Sequence, residues 1–307
     1  MEGVNFSFEW EVRLMVFLQS HASSLSILLA TIFTHMGAEV VMLAIIGYTY
    51  WALDKNMGEI IGINSLIGAV VNPLFKNIFL RRRPYFDHSE IRCLKAVNES
   101  ADIYDISKQG YSFPSGHSTN SMIMYGSIAY LTKNKYIRSI CILLPLFVGL
   151  SRNILGVHYP TDVYAGWLLG IVIILSMHYL NKIVKDDFKF HLCILALSSL
   201  GIFYCKTTDY YTGLGLLTGF IFGFQFERKY VNFLTTDSKL YGCLRVLGGF
   251  VLYFGLNILL KLPFSKDLLN SATALSFMIR TIRYSIISFT IIGVYPICFK
   301  YLDRKAG

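Results

Sequence analysis

Long apolar runs separated by short polar linkers fill most of the chain after residue 37. Several of these runs reach the roughly 17–25 apolar residues that a helix needs to cross a bilayer. The pattern therefore predicts an all-α, polytopic membrane helical bundle. We place nine membrane-spanning helices at residues 38–53, 58–79, 117–133, 137–153, 161–181, 190–205, 211–225, 243–260 and 279–299.

The first 36 residues follow a different pattern. Between Phe6 and Leu18, charged residues are interspersed among large apolar ones, which favours a helix lying in the membrane interface. Residues 25–33 are apolar, but the run is short and the polar pair Thr34-His35 interrupts it. This second segment is either a re-entrant helix or part of a kinked first span, and the sequence leaves both open. We treat residues 1–36 as a separate N-terminal section.

Composition also indicates a membrane protein. The chain of 307 residues is 54% hydrophobic and only 15% charged, whereas about a quarter of a soluble domain is charged. Basic linkers on the cytoplasmic side are the first explanation of the net charge of +9, so we expect no nucleic-acid partner. None of the six cysteines has the spacing of a metal site. We expect neither a metal nor a cofactor.

Basic residues concentrate in four segments. Counting the predicted spans places all four segments on one side of the bilayer. They are Lys133, Lys135 and Arg138; Lys182, Lys185 and Lys189; Arg228, Lys229 and Lys239; and Lys300, Arg304 and Lys305. Positively charged linkers mark the cytoplasmic side of a membrane protein. The same count brings three other polar clusters to the opposite border, so we expect a functional site on the extracytoplasmic face.

The first cluster is at the end of the second predicted span. Lys76 and Arg83 are seven residues apart and would share a helix face if the helix continued. Pro84 instead favours an end near Arg83, from which the side chain can turn back toward a pocket. Two cations there suit a phosphate, which arginine binds with two parallel hydrogen bonds. The alternative is contact with lipid headgroups, which we favour for Arg81 and Arg82.

The second cluster, residues 114–117, precedes the third predicted span. Ser115 is a candidate N-cap of that helix, and Gly116 allows a ligand to approach the backbone. Free amide groups and the positive end of the helix dipole then form an anion site that His117 would face. The alternative is an ordinary capped helix with a histidine in the membrane interface.

The third cluster joins the fourth and fifth predicted spans. Arg152 closes the fourth span, and His158 and Asp162 are four residues apart across Pro160. Pro160 suits the first turn of a helix. Asp162 can accept a hydrogen bond from one imidazole nitrogen of His158, which leaves the other nitrogen free to attack. The alternatives are a structural hydrogen bond or half of a metal site.

A long polar connection, residues 85–113, separates the first two clusters. Connections longer than about 12–15 residues are commonly lids or binding loops. A solvated surface loop is the other interpretation.

Taken together, the three clusters carry a known signature. They are Lys76-x6-Arg83-Pro84, Pro114-Ser115-Gly116-His117 and Ser151-Arg152-x5-His158-x3-Asp162. In these positions the chain resembles the type 2 phosphatidic acid phosphatase superfamily, which includes undecaprenyl pyrophosphate phosphatases and other membrane lipid phosphatases. Soluble vanadium haloperoxidases share the signature, but the apolar content argues against them. The resemblance covers roughly residues 38–205 and implies a six-helix phosphatase core.

The resemblance also implies residue roles. His158 is the expected nucleophile that forms a phosphohistidine, and Asp162 orients it. His117 is the expected general acid, which then acts as the base that activates water. The expected phosphate-binding groups are Lys76, Arg83 and Arg152 together with the backbone near Ser115 and Gly116. No metal is required, because cationic side chains stabilise the phosphoryl charge.

We therefore divide the chain into residues 1–36, a phosphatase core at 37–206 and a C-terminal transmembrane extension at 207–307 of about three spans. The extension either faces lipid, dimerises or serves as a lid or substrate channel. The expected partners are the bilayer and a membrane lipid phosphate, with undecaprenyl pyrophosphate of a bacterial plasma membrane as the first guess. Alternative functions are a lipid transporter or scramblase that binds phosphate without cleavage, and a lipid phosphotransferase.

Overall fold

Helices form nearly all of the regular structure in the computed structural model, which describes residues 3–299. In chain order the α-helices are α1 Glu9–Ser20, α2 Ser24–Met36, α3 Glu39–Tyr48, α4 Lys55–Phe79, α5 Pro84–Asp87, α6 Ile106–Gln109, α7 Gly116–Leu131, α8 Lys135–Ile154, α9 Pro160–Ile183, α10 Asp187–Ser199, α11 Thr208–Phe226, α12 Lys239–Leu259, α13 Lys266–Asn270 and α14 Ala274–Phe289. No strand occurs within residues 3–299. The predicted all-α fold is confirmed.

Each of the nine predicted spans coincides with a helix. Wider π-turns extend α3 to Leu53 and α11 to Val231, and irregular turns extend α14 to Cys298. Within residues 3–299, five helices are long and apolar enough to cross a membrane, namely α4, α8, α9, α12 and α14 with its extension, and the bent pair α1–α2 would make a sixth if it is one span. The predicted basic tail, Lys300 to Lys305, lies outside the described residues.

The N-terminal section forms two helices with a sharp bend between them. The axes of α1 and α2 differ by 118°, which fits either a broken span or a re-entrant loop. Ser23 caps α2 by accepting a hydrogen bond from the amide of Ser26. The two alternatives left open by the sequence therefore both agree with the geometry.

The predicted helix at Phe6–Leu18 is present as α1, but its buried face is partly polar. Glu11, Met15 and Gln19 follow one another at intervals of four residues and are all buried. Met15 packs with Ile91 and Tyr159. Because positions i, i+4 and i+8 share one face of a helix, α1 directs a carboxylate and an amide into the protein interior.

Two compact units make up the described chain. Unit 1 contains the N-terminal residues up to Met42 together with Asn72–Ser176. Unit 2 contains Leu43–Val71 and the described residues that follow Ser176. All three clusters of the predicted site belong to unit 1.

In unit 1, glycine allows α9 to approach the start of α7. A Cβ atom on Gly166 would lie 2.8 Å from the carbonyl oxygen of Ser115 and 3.0 Å from Cβ of Ser118. Real Cβ atoms almost never come so close to a backbone oxygen. The absence of a side chain at Gly166 therefore sets the distance between the two helix ends that carry the second and third clusters.

In unit 2, α11 and α14 pack closely along a face of small residues. A Cβ atom on Gly219 would lie 2.2 Å from the carbonyl oxygen of Ser285, and one on Gly215 would lie 2.5 Å from that of Thr281. Small residues spaced four apart let membrane helices bring their backbones together. This face holds the C-terminal extension together.

Unit 2 also contains a buried ionic group at the end of α11. The carboxylate of Glu227 is fully buried and accepts hydrogen bonds from Lys55 Nζ at 2.8 Å, the Phe233 amide at 2.9 Å and the Tyr50 hydroxyl at 3.2 Å. A buried carboxylate is stable when such donors replace water.

We expect Gly166→Ala to destabilise the protein by about 1–3 kcal/mol, the usual cost of forcing a group into a packed interior. The measurement is thermal unfolding in detergent. Gly255→Ala in α12 is the matched control, because a Cβ atom there has no neighbour within 4 Å and alanine favours a helix by about 1 kcal/mol over glycine. Equal midpoints for Gly166→Ala and the wild type would contradict the close approach.

Candidate active site

The three predicted clusters converge in unit 1. One guanidinium nitrogen of Arg83 lies 3.2 Å from Nε2 of His158, and Nδ1 of His158 lies 3.4 Å from a carboxylate oxygen of Asp162. A Cβ atom on Gly116 would lie 3.9 Å from Nζ of Lys76. One residue from each cluster is thus in contact with, or adjacent to, a residue from another.

The loop between α8 and α9 holds the His158–Asp162 pair. The amide of Tyr159 donates to Oδ2 of Asp162 at 2.8 Å, and Nδ2 of Asn153 donates to the carbonyl oxygen of His158 at 2.9 Å. The hydroxyl of Ser112 donates to the same Oδ2 atom and lies 3.4 Å from Nδ1 of His158. As predicted, Pro160 starts α9, so that Asp162 lies in its first turn.

The surroundings of His158 favour a neutral imidazole. Burial, followed by the positive charges of Arg83, Arg152 and Lys76, holds the pKa of His158 well below its ordinary range. A lowered pKa means that the imidazole keeps its lone pair at neutral pH. Since Asp162 and Ser112 face Nδ1, the lone pair available for attack is on Nε2, the atom that faces Arg83.

The backbone that carries Arg83 into the site is not a continuation of helix α4. Helix α4 ends at Phe79, and Leu80 has a positive φ of 51°, so Lys76 and Arg83 do not share a helix face. Arg83 precedes the short helix α5 and is buried. Its guanidinium donates to the carbonyl oxygens of Gln109 at 3.0 Å and Val157 at 2.9 Å. These carbonyl groups fix the orientation of the guanidinium.

Arg152 is a buried cation with few partners. Its side chain is only 3% exposed, one terminal nitrogen lies 2.5 Å from the hydroxyl of Thr34, and Nε has no hydrogen-bond partner. Within residues 3–299 no carboxylate forms an ion pair with it. A buried charge without a counter-ion is costly, so this position suits an anionic ligand.

The start of α7 offers backbone donors. The side chain of Ser115 caps the helix by accepting from the amide of Ser118, as predicted. The amide of Ser115 itself donates to the carbonyl oxygen of Asp162 at 2.9 Å. The next two amides, of Gly116 and His117, belong to the first helical turn and have no acceptor within the helix. They, rather than the Ser115 amide, are the donors available to an anion.

One side of the site is more open than the other. His158, Asp162, Arg83 and Arg152 are buried, whereas Lys76, Gly116 and His117 are only partly buried. His117 lies within electrostatic reach of His158 and of all three cations. The side of the site at His117 is therefore the more accessible to solvent.

Arg81 is a site residue for which the favoured sequence interpretation is wrong. We expected it to reach lipid headgroups, but it is fully buried. Its guanidinium donates to Oδ1 of Asp162 at 2.7 Å and to Oε2 of Glu11 at 2.8 Å. Arg82 pairs with Asp87 at 2.6 Å and is about one third exposed. The sequence gives one hint, since Arg81 is two residues from Arg83 in the signature.

The polar connection at residues 85–113 contributes directly to the site. It provides Ser112 and the carbonyl groups that hold Arg83. Within the connection, the side chain of Gln109 accepts hydrogen bonds from the amides of Val97 and Asn98. The side chain of Gln19 in α1 donates to the carbonyl oxygen of Arg92 and accepts from its amide. This segment is therefore an ordered wall of the site.

The clustered side chains do not form a metal-binding set. Within residues 3–299, three or more His, Cys, Asp or Glu side chains do not come together in the way that a metal site requires. Three of the charged groups near His158, namely Arg83, Arg152 and Lys76, are cations, whereas metal ions need anionic or neutral donors.

Comparison with known proteins gives two family matches. Residues 55–185 match the PAP2 superfamily, and residues 211–306 match the transmembrane extension of PAP2 superfamily phosphatases. The first match contains every signature residue described above. The second coincides with most of the predicted C-terminal extension.

Several bacterial proteins are similar to the chain. Phosphatidylglycerophosphatase B of Bacillus subtilis is 35% identical over 26% of this chain and 44% of its own length. Undecaprenyl-diphosphatase BcrC of the same species is 32% identical over 36% of this chain and 51% of its own length. The chain thus spans about half the length of these two relatives.

A third relative is covered more fully. Decaprenylphosphoryl-5-phosphoribose phosphatase of Mycobacterium tuberculosis is 30% identical over 53% of this chain and 86% of its own length. No solved structure matches the chain.

We expect Gly116→Ala to abolish anion binding and leave the fold intact. The added methyl group would lie 3.7 Å from Oδ1 of Asn72 and 3.9 Å from Nζ of Lys76, so it meets no protein atom too closely but occupies the space in front of the helix amides. Orthovanadate, a phosphate analogue, should raise the unfolding temperature of the wild type by binding the folded state, and should not raise that of Gly116→Ala. The Gly255→Ala protein should respond as the wild type does. A normal vanadate shift in Gly116→Ala would exclude an anion at the start of α7.

Proposed function

We propose, from the premise that the chain belongs to the PAP2 superfamily, that it is an integral membrane lipid phosphatase. It hydrolyses a phosphomonoester or pyrophosphate of a membrane lipid through a phosphohistidine intermediate. The observation that carries this proposal is the buried guanidinium of Arg152, which has no acidic partner among the described residues, together with Arg83 aimed at Nε2 of His158. A phosphoryl group is an anion that the two cations would bind and that the histidine nucleophile would attack.

In the first step, Nε2 of His158 attacks the phosphorus atom and the bond to the leaving oxygen breaks. His117 donates its proton to that oxygen, so the lipid leaves as a neutral alcohol or as a lipid monophosphate. His158 becomes a phosphorylated imidazolium that retains its proton on Nδ1, where Asp162 faces it at 3.4 Å. Arg83, Arg152 and Lys76 stabilise the charge that spreads over the phosphoryl oxygens in the transition state.

In the second step, water replaces the lipid. His117, now neutral, takes a proton from water as the oxygen attacks phosphorus. The bond between phosphorus and Nε2 breaks, its electron pair returns to the imidazole of His158, and phosphate is released. His117 ends the cycle protonated, ready to act as the acid again. One histidine thus serves both steps because it lies on the open side of the site, where the leaving group departs and water enters.

Cationic side chains take the place that a metal ion has in many phosphatases. The support for this role is that Arg83, Arg152 and Lys76 all lie close enough to His158 to lower its pKa, and the charge they supply does not depend on a bound metal. We therefore infer metal-independent catalysis within a core at residues 37–206, preceded by the N-terminal section at 1–36 and followed by the extension at 207–307.

The substrate that we favour is a polyprenyl pyrophosphate, with undecaprenyl pyrophosphate first. Its support is the similarity to a named undecaprenyl-diphosphatase and to a phosphatase of a decaprenylphosphoryl compound. The site would open on the extracytoplasmic face, because the basic linker with Lys133, Lys135 and Arg138 joins the ends of α7 and α8 that lie away from His117 and Arg152.

We expect His158→Ala to release no phosphate from lipid phosphates, because the nucleophile is lost. Purified protein in detergent would be assayed with a panel of prenyl pyrophosphates, phosphatidate and phosphatidylglycerophosphate. His21→Ala, at an exposed histidine at the end of α1, is the matched control and should keep full activity. Orthovanadate should inhibit the wild type and EDTA should not.

Phosphate release by His158→Ala at the wild-type rate would remove this residue from the mechanism. A wild-type protein that moves labelled lipid across proteoliposomes without releasing phosphate would instead identify a transporter. Inhibition by EDTA would indicate a metal enzyme.

A further inference from the structure

Behind Asp162 lies a buried row of charged groups that the proposed mechanism does not use. Arg81 is at its centre, 2.7 Å from Oδ1 of Asp162 and 2.8 Å from Oε2 of Glu11, and all three side chains are at most 1% exposed. Glu11 belongs to the N-terminal helix α1, outside both regions that match the family. The family match therefore covers Arg81 and Asp162 but does not account for Glu11.

We propose that Glu11 and Arg81 are positioning residues that orient Asp162 and set the charge it presents to His158. Helix α1 is then a functional part of the active site and more than a membrane anchor. The proposal rests on the proposed function, since it concerns the same nucleophile.

The geometry assigns different tasks to the two oxygens of Asp162. Arg81 binds Oδ1, while Oδ2 faces Nδ1 of His158 and accepts from Ser112 and the Tyr159 amide. A bond at Oδ1 fixes the rotation of the carboxylate, and this rotation directs Oδ2 toward the imidazole. Removing Arg81 would free the carboxylate to turn away from His158.

Glu11 also holds the helix that carries Asp162. Its Oε1 atom accepts from the hydroxyl of Thr161 at 2.6 Å and from the amide of Thr161 at 3.1 Å. A carboxylate at the first turn of a helix satisfies a free amide and interacts favourably with the helix dipole. The guanidinium of Arg81 is enclosed between the rings of Tyr159, at 3.9 Å, and Phe6, at 4.6 Å. Ring contacts and hydrogen bonds together thus hold the guanidinium of Arg81 in place.

The negative charge of Glu11 has a second role besides holding Arg81 and Thr161 in place. With Arg81 and Asp162 alone, the guanidinium would cancel the carboxylate that faces His158. The second carboxylate, of Glu11, leaves the row with one net negative charge. In a buried site this charge stabilises the imidazolium that forms when Nε2 bonds to phosphorus. The net charge of the row therefore stabilises the phosphorylated imidazolium more than the neutral imidazole of the resting enzyme.

Replacing Glu11 by glutamine tests this role, because the side chain keeps its shape and loses its charge. We expect kcat to fall by about 10- to 100-fold, the range typical of groups that orient a functional side chain from behind. KM should stay within about twofold, since the phosphate-binding Arg83, Arg152 and Lys76 are untouched. The measurement is steady-state phosphate release from undecaprenyl pyrophosphate in detergent micelles by the full-length protein.

Glu9→Gln is the matched control. Glu9 is two residues away in the same helix, but its side chain is 80% exposed and pairs only with Arg13 among the described residues. Its kcat and KM should equal those of the wild type. The Arg81→Lys variant keeps the charge but loses the planar fork, so its kcat should also fall.

A second variant separates charge from simple support. Glu11→Asp keeps the negative charge but shortens the side chain by one methylene group, so its kcat should exceed that of Glu11→Gln. A purely structural brace predicts the opposite, because glutamine keeps the length of glutamate and aspartate does not. This comparison stays informative even if Glu11→Gln lowers the unfolding temperature, since Glu11→Asp disturbs the contacts of Glu11 more.

Unchanged kcat in Glu11→Gln, or a Glu11→Asp variant no faster than Glu11→Gln, would overturn this inference. Wild-type activity together with an inactive His158→Ala variant would leave the proposed function standing. Failure of the wild type to release phosphate would instead overturn the proposed function.

Discussion

Positive charge buried in the protein interior is the constraint on which the site depends. Arg152 has the Thr34 hydroxyl as its hydrogen-bond partner, and carbonyl groups and a histidine surround Arg83. The desolvation of such cations is costly unless an anion compensates for it. The rest of unit 1 holds them in place, so a phosphoryl group would find the cations already oriented and dehydrated.

Rigid placement comes from many weak contacts of ordinary kinds. A helix cap at Ser115, a glycine contact at Gly166 and the amide of Tyr159 bring α7, α9 and the loop before α9 together. Helix α1 adds Glu11 behind Asp162 and Gln19 beneath the polar connection. The N-terminal helix thus contacts Arg81, which binds Asp162, and also the polar connection that holds Arg83. This arrangement links an apparently peripheral helix to the chemistry.

Apolar run length predicted the helices, because a helix that crosses a bilayer must satisfy its own backbone within one continuous segment. The signature spacing predicted which residues meet, and their convergence is confirmed for Arg83, His158 and Asp162. Arg81 could not be assigned in this way, since its partner Glu11 is 70 residues earlier in the chain. Sequence alone shows an arginine beside a membrane helix, and only packing shows that it is buried. The same holds for Ser112 and Thr34.

The central claim is that Nε2 of His158 receives the phosphoryl group from the lipid. Its most direct test is to mix the protein with a ³²P-labelled lipid phosphate, quench in alkali, in which a phosphorus–nitrogen bond survives, and locate the label by peptide mass spectrometry. The account predicts label on His158 that is lost on acid treatment and is absent when Arg83 is replaced by alanine. Label on another residue, or phosphate release with no labelled enzyme at any time in the first turnover, would contradict it.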